Sequence, residues 1–283
     1  MDRVTILLAD GRRLAYAQYG PPEGRPVVAC HGTPGSRLEH AAVSALHEMG
    51  VRLIVVDRPG YGLSDFQPGR RLLDWPDDVV QLADELQLDR FSILGFSGGG
   101  PHAAACASSM SQRIDCLALI SSMAPLDATG VAEAMLPANR ALFELAASDY
   151  RQLEQQLSTI ATTPEVLLDL LEGPAPAADK AVFAKQDFRR MYTTSLAESV
   201  RQGITGLAYD MSLLAQPWGF DPAMITSRVY LWQGEQDINA PAAMGRYLAN
   251  TIQGCNAHFI PDAGHYLMFS HWVGILQEIM REH

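Results

Sequence analysis

Residues 91–109 read Phe91-Ser92-Ile93-Leu94-Gly95-Phe96-Ser97-Gly98-Gly99-Gly100-Pro101-His102-Ala103-Ala104-Ala105-Cys106-Ala107-Ser108-Ser109. A short apolar run of buried-strand type enters a glycine-rich bend, and a segment of helical composition leaves it. The serine at the tip of such a bend is either a nucleophile held up on a sharp turn or one more polar bend residue. Its own six neighbours do not decide between these, so the reading has to come from the rest of the chain.

The surrounding sequence repeats the same strand-then-helix rhythm. Residues 4–9 and 14–19 flank Asp10-Gly11 and predict a hairpin. Apolar runs at 26–30, 51–56, 91–94, 114–120, 229–232 and 257–260 predict buried strands, and 38–49, 75–86, 101–109, 240–251 and 266–280 carry helical periodicity. Strands separated by helices of that length predict an α/β protein with a mostly parallel sheet covered on both faces. From 127 to 217 the pattern changes to helices alone, expected at 138–160, 164–171, 177–191 and 196–214, with Gly173-Pro174-Ala175-Pro176 separating two of them. The expected organisation is a core of residues 1–126 and 218–283 with a helical insertion at 127–217 after the sixth strand. No repeat or low-complexity tract suggests another architecture.

Open parallel sheets collect ligands outside the carboxyl ends of their strands. The polar residues expected there are few: His31-Gly32-Thr33, Asp57-Arg58, Ser97, Asp237 and His265. Serine is a weak nucleophile at its own pKa and needs a neutral imidazole to take its proton. His265 fits that role, and Asp237 fits the acceptor that would fix the imidazole tautomer and stabilise the imidazolium. Rivals exist for both. His258 is expected inside a strand and His271 inside the last helix, whereas His265 falls in a strand-to-helix loop; Glu235 lies nearer its strand end than Asp237, and Asp127 follows the sixth strand. Asp57 and Arg58 are expected to organise their loop, His31 to orient the next one through a hydrogen bond, and His102 to pack in its helix.

With these motifs in hand, the chain resembles the α/β-hydrolase superfamily. Gly95, Ser97 and Gly99 match its G-x-S-x-G nucleophile elbow, and His31-Gly32-Thr33 its oxyanion loop. Residues 57–64 match a D-x-P-G-x-G-x-S segment of many members, 234–237 the G-x-x-D acid loop, and Gly264-His265 the late G-H. The resemblance implies Ser97, Asp237 and His265 as catalytic residues, and the backbone N–H groups of Thr33 and Gly98 as oxyanion donors. It places the helical insertion where the family carries its cap. It further implies a cofactor-independent serine hydrolase of esterase type, without a metal, acting on a small and mostly apolar substrate. Cofactor-free haloperoxidase or C–C bond hydrolase activity would use the same triad, and two further alternatives remain. His31-Gly32-Thr33-Pro34-Gly35 is similar to the HGGPG of proline iminopeptidases, which bind a free amino terminus with cap acids, and some members of the superfamily hold a ligand without turnover. Serine at the elbow counts against dehalogenase and epoxide hydrolase chemistry, which use aspartate there.

The substrate pocket is expected to draw its walls from the insertion, with Met135, Leu136, Phe143, Phe183, Tyr192, Tyr209, Met211 and Leu214 as candidates. Twelve acids against seven Lys/Arg in 127–217 disfavour a strongly anionic substrate, and Asp210 is a candidate for meeting a cationic group or for a solvated or capping role. A net charge of −11 without a basic run excludes nucleic acid or an anionic membrane surface as main partner. Cys30, Cys106, Cys116 and Cys255 have neither disulfide-framework nor zinc spacing. With no secretory signal or spanning segment read in the sequence, the expectation is a cytoplasmic protein whose partner is a small-molecule substrate; nothing in the sequence fixes a homodimer.

Overall fold

The computed structural model describes residues 4–161 and 163–281. Eight strands form one sheet: β1 Val4–Leu7, β2 Arg13–Tyr19, β3 Arg25–Cys30, β4 Val51–Val56, β5 Phe91–Phe96, β6 Ile114–Ile120, β7 Arg228–Gly234 and β8 Asn256–Ile260. Their order is β1-β2-β4-β3-β5-β6-β7-β8; β1 pairs with β2 and β2 with β4 antiparallel, and the remaining pairs are parallel. The expected hairpin and parallel sheet are therefore both present. Ten α-helices accompany them among the described residues: α1 Val43–Glu48, α2 Trp75–Glu85, α3 Gly99–Ser109, α4 Pro137–Ile160, α5 Pro164–Glu172, α6 Ala177–Phe183, α7 Gln186–Ser199, α8 Thr205–Ala215, α9 Ala242–Thr251 and α10 Trp272–Ile279.

Period-two alternation along the strands divides the core in two. Val28, Cys30, Ile54, Val56, Ile93 and Leu119 face α2, α3 and α9, while Val27, Ala29, Val55, Leu94, Phe96 and Ile120 face α1 and α10. Every residue of β5 is buried, which is why its run is apolar apart from Ser92 and shows no polar alternation. Each large aliphatic side chain buried in this way contributes about 1.5–3 kcal/mol. β3 pairs with β4 on one side and β5 on the other, so the chain changes direction across the sheet at β3. The crevice at such a point lies between the loops after β3 and β5, and Cys30 stands opposite Gly95 in register.

The described residues between β6 and β7 contain no strand. There α4 and α8 pack together through Ala146, Leu153, Leu157, Leu207, Ala208 and Met211 into a third apolar cluster. Several helix limits differ from the periodicity. The helix expected at 38–49 is confined to Val43–Glu48, because Arg37 and Glu39 are spent on the preceding loop: the Arg37 N–H donates to Asp57 and the Glu39 carboxylate accepts from Gly32 N–H. The stretch 177–191 breaks between α6 and α7 at Lys185, whose ψ of 116° is extended. The stretch 196–214 breaks before α8, where Gly203 adopts φ +97°. α4 kinks at Asp149, whose carboxylate accepts from the N–H of Arg151 and Gln152 and so starts a new helix inside the old one. The stretch 266–280 divides into a 3-10 turn, His265–Phe269, and α10, leaving His271 at the helix cap and not inside the helix. No described helix is long and apolar enough to cross a membrane.

Candidate active site

Ser97 follows the last residue of β5 and adopts φ +54°, while Gly98, the next residue, is right-handed at φ −63°. The glycines around it answer to close approach. A Cβ on Gly95 would lie 2.5 Å from Gly99 O and 2.6 Å from Gly100 Cα, and one on Gly99 would overlap the carbonyls of Cys30 and His31. With those side chains absent, α3 starts directly against β3 and β5 and the serine is left standing at the turn. The Ser97 N–H is tied to Ile120 O at 3.0 Å, which fixes the turn to β6.

The three side chains singled out at the strand ends meet here. His265 Nε2 lies 3.0 Å from Ser97 Oγ, and its Nδ1 lies 3.0 and 2.9 Å from the two carboxylate oxygens of Asp237. Asp237 is held in turn by the N–H groups of Asn239 and Ala240, both 2.9 Å, and by Gln233 Nε2 at 3.2 Å. An acceptor at Nδ1 assigns the proton to that nitrogen and leaves the Nε2 lone pair facing the serine hydroxyl. Burial alone would lower the pKa of His265, but the Asp237 carboxylate outweighs it, so the net shift is upward from 6.5. The rival groups are engaged elsewhere: Glu235 pairs with Arg246, Asp127 is exposed, His258 stacks on Trp232, and His271 bonds Leu267 O and Ser270.

Thr33 and Gly98 border the same crevice. The side chain of Thr33 lies beside Gly98, with its Cβ 2.8 Å from where a Gly98 Cβ would sit, and among the described residues neither backbone N–H has a backbone acceptor. Two unpartnered N–H donors beside the Ser97 hydroxyl are placed to receive an anionic oxygen. The loop carrying Thr33 rests on Arg58, which is fully buried and donates to His31 O, to Gly32 O at 3.0 Å and to Thr33 Oγ1 at 2.7 Å. His31 behaves as expected: its Nδ1 is 2.8 Å from Gly32 O and its Nε2 accepts from Arg58 N–H at 3.2 Å. Burial and then the Arg58 charge hold its pKa well below 6.5, so it stays neutral. Asp57 likewise organises its loop through Arg37 and Leu63 N–H.

Asp210 corrects the sequence reading. It is outside the cavity lining and is not solvated: α8 carries it, fully buried, to Arg58 at 2.8 Å and to Arg70, with His102 Nε2 3.6 Å away. Burial would raise its pKa, but the two guanidinium groups overcome that and lower it. His102 packs as expected, bonded to Gly98 O at 2.9 Å, with burial pushing its pKa down to about 3. The signal for a buried partner was present in α8, whose single charge interrupts an otherwise apolar stretch. A second group had no such signal. Asp179 on α6, 1% exposed, accepts the backbone N–H groups of His265 and Tyr266, each at 2.9 Å.

Above Ser97 lies a cavity of about 270 Å³ bounded by the oxyanion loop, α4, α5, α7 and α8. Of the eight wall candidates, Phe143, Tyr192 and Met211 line it. The other five do not: Phe183 packs on Tyr266, Tyr209 bonds Arg70 O, Leu214 abuts Gly98 from beneath, Met135 joins the sheet core and Leu136 is exposed. Leu142, Leu157, Leu167 and Leu171 are among the further apolar residues of the wall. Among the described residues lining it there is no Asp, Glu, Lys or Arg, and no described group of three or more His, Cys, Asp or Glu is disposed to hold a metal ion.

Comparison with known proteins agrees with this architecture. A family profile described as the alpha/beta hydrolase fold matches residues 25–271. The chain belongs to the alpha/beta hydrolase fold family. Over 121 residues it is 32% identical to YcgS, an uncharacterized hydrolase of Bacillus subtilis (strain 168), a match covering 43% of this chain and 42% of that one. Over 111 residues it is 31% identical to a proline iminopeptidase of Xylella fastidiosa (strain Temecula1), covering 38% of this chain and 35% of that protein. These matches span less than half the length of either relative. The solved structure of a bromoperoxidase from Bacillus anthracis superposes with a TM-score of 0.76 at 21% identity, covering 99% of this chain and all of that one, and shows the shared fold.

Proposed function

We propose that the protein is a serine hydrolase that cleaves carboxylic esters of small, uncharged, mostly apolar substrates. The observation that carries this reading is a Ser97–His265–Asp237 array opening into a cavity whose described lining holds no Asp, Glu, Lys or Arg. In the proposed reaction His265 Nε2 takes the Ser97 proton as Oγ attacks the ester carbonyl. The oxyanion is received by Thr33 and Gly98 N–H, His265 returns the proton to the departing alkoxide, and an acyl-Ser97 remains. Water, deprotonated by the same imidazole, then releases the acid.

An iminopeptidase of the resembled kind needs an acid of the helical insertion facing the substrate amine, and there the buried acids are committed, Asp179 to backbone N–H groups and Asp210 to two arginines, while half-buried Glu198 pairs with Arg37. That favours an ester over an amino-terminal peptide. A series of p-nitrophenyl esters of increasing acyl length, run beside a proline arylamide, tests the choice. Ester turnover with little arylamide turnover is expected; the reverse would overturn it, and no turnover of either would favour a ligand-holding protein.

A further inference from the structure

Asp179 stands outside the proton path yet touches the residue that carries it. Its two carboxylate oxygens are divided between consecutive amides of the 3-10 turn, Oδ2 on His265 N–H and Oδ1 on Tyr266 N–H. The approach is close enough that a Cβ on Gly264 would overlap the carboxyl group. α6 does not need this contact to be fastened, because Phe183 already packs on Tyr266 with ring centroids 4.7 Å apart. A carboxylate taken out of water without a cationic partner is costly, and a neutral side chain could cap the turn equally well. The position of the charge is therefore the feature to explain.

We propose that Asp179 is a positioning residue for His265: it pins the histidine backbone so that the imidazole spans Ser97 and Asp237, and its negative charge stabilises the imidazolium formed when Ser97 gives up its proton. The inference rests on Ser97 acting as nucleophile. His265 has to meet Ser97 at 3.0 Å and Asp237 at 2.9 Å simultaneously, and fixing its N–H fixes the Cα from which both reaches are measured. Three acids face the imidazole, each from a different element: Asp237 from the loop after β7, Asp179 from α6, and Glu39 from the loop after β3. Burial raises Glu39 to about 7 and raises Asp179 as well, and of the two Asp179 acts more strongly on the imidazole. The helical segment that roofs the pocket thus also supplies part of the support for the base.

The test is the second-order rate at which a fluorophosphonate modifies Ser97, measured against pH in the full chain. Wild type, Asp179→Asn and Glu172→Gln are compared; the last breaks an α5–α7 surface pair with Arg189 and touches nothing at His265. Asp179→Asn should lower the plateau rate about 10- to 100-fold, as misplacement of a reacting group does, and shift the acid limb to lower pH. Glu172→Gln should leave both unchanged. A plateau and limb in Asp179→Asn equal to wild type would overturn the proposal. Should that variant fail to fold, Gly264→Ala, which displaces the carboxyl from both amides, must slow the reaction, and an unchanged rate there would overturn it equally. An unreactive wild type would instead remove the nucleophile reading itself.

Discussion

Replacing Asp210 by Asn removes a charge from the most buried ionic cluster in the molecule while preserving its shape. Arg58 and Asp210 are fully buried and Arg70 is 3% exposed, so no water is at hand to take over from the lost carboxylate. Breaking a buried pair on one side costs about 3–5 kcal/mol, because an uncompensated charge stays behind. Against a total stability of about 5–15 kcal/mol that is a large share. At about 2–4 °C per kcal/mol for a protein of this size class, the midpoint of thermal unfolding should fall by about 6–20 °C. Activity should suffer separately, because Arg58 is the donor to Thr33 Oγ1 and to the carbonyls of His31 and Gly32. Losing the placement of one oxyanion donor costs about 10²–10³-fold in turnover. Thermal denaturation followed by circular dichroism and ester hydrolysis well below the midpoint measure the two effects independently. A midpoint within about 2 °C of wild type, which corresponds to less than about 1 kcal/mol, would refute the buried network as the support of the oxyanion loop.

Other substitutions probe the remaining parts. Asp237→Asn should leave the fold intact and lower kcat by about 10⁴-fold through the wrong imidazole tautomer, read from steady-state ester hydrolysis. The raised pKa of His265 places the acid limb of kcat/KM above pH 6.5, since the imidazole must be neutral to accept the proton and is increasingly protonated below its pKa; a limb below 6.5 would contradict the electrostatics described. Met211→Trp fills part of the cavity wall, so kcat/KM for long acyl esters should fall about 10- to 200-fold more than for acetate, the range expected when a pocket rejects added methylenes.

The segment Phe91 to Ser109 could be read directly because its physics is local. A strand buried on both faces shows no polar alternation, and the glycines that follow it allow close approach to the ends of β3 and β6. Ser97, Asp237 and His265 were legible for a related reason: in a parallel sheet the strand ends fix where the next polar residue emerges, whatever the intervening loops do. The breaks at Lys185 and before Thr205 were not legible, because helical periodicity persists across them and only tertiary packing decides where the chain turns. Asp179 was invisible for another reason. Its partners are main-chain amides 86 and 87 residues away, and a carboxylate serving backbone leaves no complementary charge in the sequence to find. Asp210 lay between these cases: its isolation in an apolar helix is a sign of burial that the reading of it as substrate-facing, solvated or capping did not use, and its partners came only from the fold.

The central claim is that Ser97 carries the acyl group. Mass spectrometry of the protein quenched during turnover of a slow ester, followed by peptide mapping, measures that directly. The account predicts an adduct of acyl mass on the peptide containing Ser97, absent in Ser97→Ala, which should be folded and inactive. Hydrolysis at an undiminished rate in Ser97→Ala, or an adduct mapping to another residue, would contradict it.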